Sequence, residues 1–193
     1  MAEVIRESSI ADPGPLGLAA FALTTFVLSM SNANLIPKEL CTVFVPLAIF
    51  YGGLAQVLAG MWEFKKNNTF GAVAFTTYGS FWLGLSTTVI LETLKILNFG
   101  ASGHTAIGLY LIGFTIFNTY MWIGTFRLNN ALVAVFTFLE ITFILLDLAE
   151  FGMISSVSGG IFGLVTAACA WYASAAGIIN PLYGRTILPI GQR

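Results

Sequence analysis

The residues of this sequence that could do chemistry are polar side chains placed inside long apolar stretches. Gln56, Asn118 and Glu140 are the clearest of them. Gln56 and Asn118 are each predicted either to join helices by hydrogen bonds or to line a polar route. Glu140 is predicted either to be a proton site or to pair with a neighbour such as a hydroxyl group or Asn118.

Hydroxyl side chains are the second polar group, and they concentrate in residues 69–84. A buried hydroxyl without a partner costs about 1–3 kcal/mol, so one face of this helix must meet other helices, water or a polar ligand. We interpret this helix as a wall of a conduction pathway, with Tyr78 near the narrowest part. The hydroxyls predicted to line the pathway are those of Thr24, Thr25, Thr76, Thr77, Ser80 and Thr137. Because no apolar stretch has a central Lys or Arg, such weak donors suit a small monovalent anion or a small neutral solute.

No catalytic set, cofactor motif or metal-binding spacing is present in the sequence. His104 stands alone and is predicted to lie at a membrane interface, while Cys41 and Cys169 are predicted to be packing residues. We therefore predict no enzyme activity, no metal and no cofactor. The net charge of −1 offers no basic surface for nucleic acid.

The composition is that of an integral membrane protein. Hydrophobic residues make up 57% of the chain and charged residues 9%, whereas a water-soluble domain has about 25% charged residues. A helix needs about 20 apolar residues to cross a bilayer, and the stretches that qualify are 16–35, 41–63, 69–91, 105–126, 131–151 and 158–179. The predicted fold is all-α, with six transmembrane helices surrounding a central pathway in each protomer. Residues 1–14 and 181–193 are predicted to be cytoplasmic segments on either side of a transmembrane domain at 15–180.

Basic residues predict the orientation in the membrane. With the N-terminus inside, the cytoplasmic segments hold Arg6, Lys65, Lys66, Arg127, Arg185 and Arg193. The opposite side holds only Lys38 and Lys95. Both termini are therefore predicted to be cytoplasmic, in a multi-pass protein of the plasma membrane, the inner membrane of the cell. No cleavable signal is predicted, because the first apolar run follows an acidic N-terminus and is long enough to span.

A faint internal repeat relates the odd-numbered stretches. AFTTY at 74–78 aligns with VFTFL at 135–139, and Met-Trp precedes each of them at similar spacing. One interpretation is three helical hairpins in tandem; the other is chance similarity between apolar segments. In the first case Phe21, Tyr78 and Leu139 face one another at one level and form a hydrophobic constriction, which can gate by dewetting.

Small residues form two stripes that predict close helix contacts. They are Gly52, Gly53 and Gly60 in the second stretch, and Gly159, Gly163 and Ala167 in the sixth. Each stripe is predicted either to pack within one subunit or to form a subunit interface.

Helix ends also leave signals in the sequence. Thr69 and Asn130 are predicted N-caps of the third and fifth helices, and Pro181 is predicted to lie just beyond the sixth. Asp147 and Glu150 are predicted to be solvated carboxylates at the outer mouth of the pathway.

Three long motifs resemble a known family. PLGLAAF at 15–21, FYGGLAQVLAGMWEFKKNNTFGAVAFTTYGSFW at 50–82 and YGRTILPIG at 183–191 resemble the acetate uptake transporters. The resemblance covers nearly the whole chain. It implies a six-helix protomer, a homo-hexamer in the lipid bilayer with one pathway per protomer, and passage of acetate, with succinate in some members.

The same resemblance implies roles for single residues. The hydrophobic constriction of the family falls on Phe21, Tyr78 and Leu139, Gln56 lies near the pathway, and Ala170 matches a position that tunes substrate choice. Two positions depart from the family pattern. Asp12 stands where the family has Asn and places a carboxylate at the cytoplasmic mouth, and Glu140 stands where a neutral residue is expected.

The leading hypothesis is a membrane permease or channel for acetate and similar small monocarboxylates, with or without a coupled proton. A channel for small neutral solutes is the alternative within transport. A non-transporting structural or sensory membrane protein is the alternative from a different class.

Overall fold

Six long helices make up the computed structural model, which describes residues 10–192 of the chain. They are α1 (Gly14–Asn32), α2 (Lys38–Lys65), α3 (Thr69–Thr93), α4 (Gly103–Thr125), α5 (Asn130–Glu150) and α6 (Val157–Tyr183). The prediction of an all-α fold of six helices is confirmed. Residues 1–9 of the predicted N-terminal segment, including Arg6, and Arg193 of the C-terminal segment lie outside the described residues.

Within the described residues, five of these helices are long and apolar enough to cross a membrane. Helix α3 is the exception although it has 25 residues, because eight of them are Ser or Thr. These hydroxyls lower its hydropathy without exposing it, and its buried positions include Tyr78, Phe81 and Trp82. The helix with the most polar sequence is therefore held among its neighbours.

The helix ends differ slightly from their predicted positions. Asn68 Oδ1 accepts a hydrogen bond from the Gly71 N–H (3.1 Å), so α3 is capped by Asn68 and not by the predicted Thr69. Asn129 likewise caps α5 in place of Asn130. Each cap lies one residue earlier because an Asn side chain reaches the N–H three residues ahead.

The end of α6 is a correction to the sequence prediction. The helix continues through Pro181 to Tyr183 and ends at Gly184, whose φ of 61° is left-handed. Proline removes one hydrogen bond from the last turn without ending it, and the glycine that follows adopts the conformation that stops the helix.

Helix α2 changes its winding in the middle. Residues 38–43 form a 3₁₀ segment, and residues 50–55 form a π-helical turn that contains Gly52 and Gly53. A π turn adds a residue to the helix and rotates everything after it relative to the preceding face. Gln56 is the first residue after this turn, so the π turn determines the direction in which its side chain projects.

The helices pack as a closed ring in chain order, with α1 against both α2 and α6. The contact between α3 and α4 is the thinnest and is bridged by the Tyr110 hydroxyl, which donates to the Phe81 carbonyl oxygen at 2.7 Å. Lipid provides no hydrophobic drive between helices, so close backbone approach has to supply the packing.

The small-residue stripes make these approaches inside the chain. A Cβ at Gly52 would lie 2.5 Å from Thr24 Oγ1 of α1, and a Cβ at Gly159 would lie 2.6 Å from Leu146 of α5. Gly60 meets Thr76 of α3. Of the two predicted roles, the structure shows packing within one subunit at these positions.

Both ends of the described chain lie at the same end of the bundle. Lys66 Nζ, between α2 and α3, is 2.8 Å from Asp12 Oδ1. Gln192 forms an isolated antiparallel bridge with Asn129, just before α5. We call this the terminus end of the bundle, and the other the far end.

Candidate functional site

Two cavities enter the bundle from opposite ends. The terminus-end cavity has a volume of about 460 Å³ and reaches from Lys66 and Arg127 inward past Gln56. The far-end cavity has a volume of about 270 Å³ and reaches from Glu92 and Glu150 inward past Thr25. Either volume holds several water molecules, each of which occupies about 30 Å³ in the liquid.

Three residues line both cavities and so stand between them: Phe21, Tyr78 and Leu139. They come from α1, α3 and α5, and each is at most 6% exposed. These are the three residues that the sequence predicts as a hydrophobic constriction. The structure brings them together at the single level where the two cavities meet.

Aromatic contacts hold this narrowing from the sides. The Phe21 and Tyr78 rings are 5.7 Å apart between centroids, and the Tyr78 ring also contacts Phe117 at 5.2 Å and Phe136 at 6.1 Å. Tilted and edge-on aromatic pairs are attractive beyond the area that they bury. Because the narrowing presents rings and a leucine, water is disfavoured there.

The Tyr78 hydroxyl points away from the cavities into a buried hydrogen-bond network. It donates to Asn118 Oδ1 at 2.6 Å, and Asn118 Nδ2 donates to Glu140 Oε2 at 2.6 Å and to the Phe136 carbonyl oxygen at 3.3 Å. Thr119 Oγ1 donates to Glu140 Oε1 at 2.7 Å. Asn118 thus joins α3, α4 and α5, and neither Asn118 nor Glu140 lines a cavity.

Gln56 is the polar residue deepest in the terminus-end cavity. It is 1% exposed, and its Oε1 has no hydrogen-bond partner in the protein. A buried polar atom without a partner costs about 1–3 kcal/mol unless water or a solute satisfies it. The sequence predicts the same two alternative roles for Gln56 and Asn118. In the structure Gln56 borders a cavity, whereas Asn118 is bonded to neighbouring helices.

Charged groups surround the entrance of this cavity. Asp12 is paired with Lys66, and its Oδ1 also accepts a hydrogen bond from the Gly14 N–H at 3.0 Å. The carboxylate of Asp12 at this mouth, which alone would repel an anion, is thus opposed by the positive charge of Lys66. Glu63, which sequence reasoning missed, lines the cavity at 1% exposure and accepts a hydrogen bond from Asn68 Nδ2 at 2.8 Å.

Two residues that line the far-end cavity each have a buried polar atom without a partner in the protein: Thr25 Oγ1 and Trp82 Nε1. Indole Nε1–H is a donor only, so it suits a carboxylate oxygen or water. Thr25 was predicted as a pathway residue, but Trp82 was not. The sequence feature that could have indicated Trp82 is its position two residues after Ser80, in the helix already interpreted as a pathway wall.

The outer mouth of this cavity is acidic. Glu92 and Glu150 line it, and Glu150 Oε2 is 2.9 Å from His104 Nδ1. Asp147, predicted at the same mouth, instead accepts a hydrogen bond from Thr115 Oγ1 at 2.7 Å and does not line the cavity.

The remaining predicted pathway residues line neither cavity. Thr24 faces Gly52, Thr76 faces Gly60, and the exposed Ser80 donates to the Thr76 carbonyl oxygen at 2.8 Å. The others are Thr77, Thr137 and the fully buried Ala170. Several of these hydroxyls bond to a carbonyl one turn back, which removes the need for a polar partner elsewhere.

No metal cluster is formed by residues 10–192: no three His, Cys, Asp or Glu side chains stand close enough to share an ion. Cys41 and Cys169 are free and half-buried. The polar chemistry of the site is that of hydrogen bonding and charge around a two-sided cavity.

Comparison with known proteins agrees with this architecture. The sequence profile of the GPR1/FUN34/yaaH family matches residues 2–189. The chain is 36% identical over 187 residues to the succinate-acetate/proton symporter SatP of Escherichia coli (strain K12), covering 96% of this chain and 97% of SatP. It is 37% identical over 203 residues to acetate permease A of Emericella nidulans, covering 97% of this chain and 68% of the permease.

A solved structure is similar along its whole length. The structure of the bacterial acetate channel SatP superposes with a TM-score of 0.89 at 36% identity, covering 95% of this chain and all of the channel chain. Both the sequence and the fold are shared over nearly all of the described residues. The chain therefore belongs to the GPR1/FUN34/yaaH family.

Proposed function

We propose that this protein is a membrane permease or channel for acetate and similar small monocarboxylates, with the dicarboxylate succinate as a further candidate. The observation that carries the proposal is the pair of cavities that enter from opposite ends and meet at Phe21, Tyr78 and Leu139. A solute path needs access from both sides and one barrier between them. The names of the relatives, a succinate-acetate/proton symporter, an acetate permease and an acetate channel, support acetate as the solute.

The proposed path follows the polar atoms that lack partners in the protein. At the terminus end, Arg127 and Lys66, the latter paired with Asp12, attract a carboxylate, and the side-chain N–H groups of Gln56 replace part of its water, while Gln56 Oε1 accepts from a water that travels with the solute. The solute then passes the apolar narrowing and meets the Trp82 Nε1–H and the Thr25 hydroxyl in the far-end cavity. Donors of this number and strength bind an anion weakly enough for it to leave.

We propose that both termini are cytoplasmic, in the inner membrane of the cell. The terminus-end cavity is lined by Lys66 and Arg127 beside the acidic Asp12 and Glu63, whereas the described residues that line the far-end cavity include no Lys or Arg. Basic residues accumulate on the cytoplasmic side of membrane proteins.

A homo-hexamer and the absence of enzyme activity remain predictions from the family resemblance and from the absent catalytic motifs. Of the two alternatives for Glu140, we favour pairing with Asn118 and a hydroxyl group over a proton role, because both of its carboxylate oxygens accept hydrogen bonds.

The decisive experiment is uptake of labelled acetate into liposomes that contain the purified protein. Uptake above that of empty liposomes, abolished by a large residue at the narrowing, is expected. Equal uptake in protein-containing and empty liposomes would contradict the proposal. That result would favour a structural or sensory protein. A sealed interior is expected of such a protein, whereas residues 10–192 enclose two cavities.

A channel for small neutral solutes is the second candidate. The observation that favours it is the wholly apolar narrowing, where no Lys or Arg neutralises an anion. Conductance across a planar bilayer separates the two. An acetate current indicates the anion path, whereas net acetate uptake without current indicates protonated acetic acid.

Trp82→Phe is expected to lower acetate uptake, because phenylalanine keeps the ring and removes the N–H that faces the far-end cavity. The expected loss is about tenfold, the scale of one hydrogen bond to a charged group of about 1.5–3 kcal/mol. Trp62→Phe is the matched control, since Trp62 is 54% exposed on α2. If the two variants transport equally, Trp82 does not bind the solute.

A further inference from the structure

A line of hydrogen bonds runs from the narrowing to a carboxylate on the side away from both cavities. Its members are Tyr78, Asn118, Glu140 and Thr119, and its bonds are 2.6, 2.6 and 2.7 Å long. Asn118 is fully buried, and Glu140 is 9% exposed. The transport path does not use this network, so its presence needs a separate explanation.

Every donor in this line points toward Glu140, which fixes the donor and acceptor roles of the other groups. The two carboxylate oxygens of Glu140 accept, one from Asn118 Nδ2 and the other from Thr119 Oγ1. With Nδ2 committed to the carboxylate, the Asn118 amide must present Oδ1 to α3. Oδ1 in turn accepts the Tyr78 O–H. An apolar residue at 140 would leave Nδ2 held only by the longer bond to the Phe136 carbonyl oxygen, at 3.3 Å, and would loosen the amide and the hydroxyl bonded to it.

Of the three residues at the narrowing, Tyr78 is the one with a polar anchor. Phe117 and Phe136 hold its ring on the side of the network, at 5.2 and 6.1 Å between centroids. Phe21 and Leu139 have apolar side chains that cannot form hydrogen bonds. The narrowing therefore has one tethered wall and two walls held by packing alone.

We propose that Glu140, acting through Asn118, holds the Tyr78 ring as the fixed wall of the narrowing, so that a network outside the path sets the size limit for solutes. Glu140 is on this account a positioning residue. The inference rests on the proposed transport function and adds to it the source of the size limit. Widening of the path then comes from movement of Phe21 or Leu139 while Tyr78 stays in place.

The test compares two substitutions at Glu140. Glu140→Gln keeps an oxygen that accepts from Asn118 Nδ2, and its new N–H can donate to Thr119 Oγ1, whose own proton can turn to the Thr115 carbonyl oxygen 2.9 Å away. Glu140→Leu keeps the approximate volume and removes both acceptors. The readout is the ratio of propionate uptake to acetate uptake in liposomes, because a looser wall favours the larger solute.

We expect Glu140→Leu and Tyr78→Phe to raise this ratio by about fivefold each, the scale of one neutral hydrogen bond. Glu140→Gln is expected to leave both the ratio and the pH profile of uptake unchanged. In the double variant of Tyr78→Phe and Glu140→Leu, the second change is expected to add nothing, because the tether is already gone.

Three results would overturn the proposal. An additive double variant would show that Glu140 acts elsewhere. A Glu140→Gln protein that loses the pH dependence of uptake would show that the carboxyl group carries a proton, and one with the uptake ratio of Glu140→Leu would show that accepting these hydrogen bonds is not what residue 140 contributes. An unchanged ratio in Tyr78→Phe would show that the hydroxyl does not hold the wall, and this variant decides the matter if Glu140→Leu fails to fold.

A spectroscopic measurement separates this inference from the proposed function. In protein with ¹³C-labelled tyrosine rings, the Tyr78 signal is assigned by its absence in Tyr78→Phe. Ring motion is expected to be slow in the wild type and in Glu140→Gln, and faster in Glu140→Leu. The comparison needs no transport, so equal motion in all three contradicts the inference even if acetate uptake is observed. Absent uptake with this pattern of motion contradicts the function alone.

Discussion

Leu139→Ala is expected to increase acetate uptake by about tenfold, as a barrier lower by about 1.4 kcal/mol would produce. Leu139 is 4% exposed and stands between the two cavities. Shortening its side chain widens the level at which water and solute are most disfavoured. The reverse change, Leu139→Trp, is expected to abolish uptake by filling the same space. Both are measured with labelled acetate in liposomes.

The control for this pair is Leu109→Ala. Leu109 is 65% exposed on α4 and far from the narrowing, so the same loss of side chain is expected to leave uptake unchanged. Uptake by Leu139→Ala equal to that of the wild type would mean that the limiting step lies elsewhere along the cavities. A fall in uptake together with a lower unfolding temperature would mean that Leu139 serves packing alone.

Gln56→Leu is expected to reduce acetate uptake at least about tenfold, the effect of losing one hydrogen bond of about 1.5–3 kcal/mol from the side-chain N–H of Gln56 to a charged solute. Gln56 Oε1 has no hydrogen-bond partner in the protein. The substitution therefore leaves no protein donor without an acceptor. The free energy of unfolding is therefore expected to stay the same or to rise. Uptake and thermal unfolding in detergent are measured on the same preparation.

Asn118→Leu is the variant with which the unfolding temperature of Gln56→Leu is compared. It removes bonds to Tyr78, Glu140 and the Phe136 carbonyl oxygen, and it leaves buried polar groups without partners. We expect it to lower the unfolding temperature, since each such group costs about 1–3 kcal/mol. If Gln56→Leu lowers the unfolding temperature as much as Asn118→Leu does, Gln56 is a structural link between helices.

These two amides show the limit of prediction from the sequence. Gln56 and Asn118 both sit deep in apolar stretches, and the pattern around each fits a structural link or a pathway residue equally well. The packing of α4 against α5 surrounds Asn118 with acceptors and donors. The π turn before Gln56, which the sequence analysis did not anticipate, leads into a residue that borders a cavity.

The hydroxyl groups show the same limit more plainly. The abundance of Ser and Thr in α3 correctly marked a helix that is held inside the bundle, yet Thr76 faces a glycine of α2 and Ser80 is exposed. A helical hydroxyl can satisfy itself on a carbonyl of the preceding turn, as that of Ser80 does, although Thr76 Oγ1 is buried without a partner in the protein. Its presence in an apolar stretch therefore does not require a polar surface, and Trp82 contributes the donor that the hydroxyls were expected to supply.

The sequence by itself determined the membrane class, the six helices and the family, because apolar length, low charge and long motifs are local properties of the chain. It also singled out Phe21, Tyr78 and Leu139 as residues of one level. Only the tertiary structure decided which side of each helix borders a cavity, which polar atoms are left without partners, and that Glu140 reaches Tyr78 through Asn118. Helical periodicity places residues on a common face, but the neighbouring helices decide what that face meets.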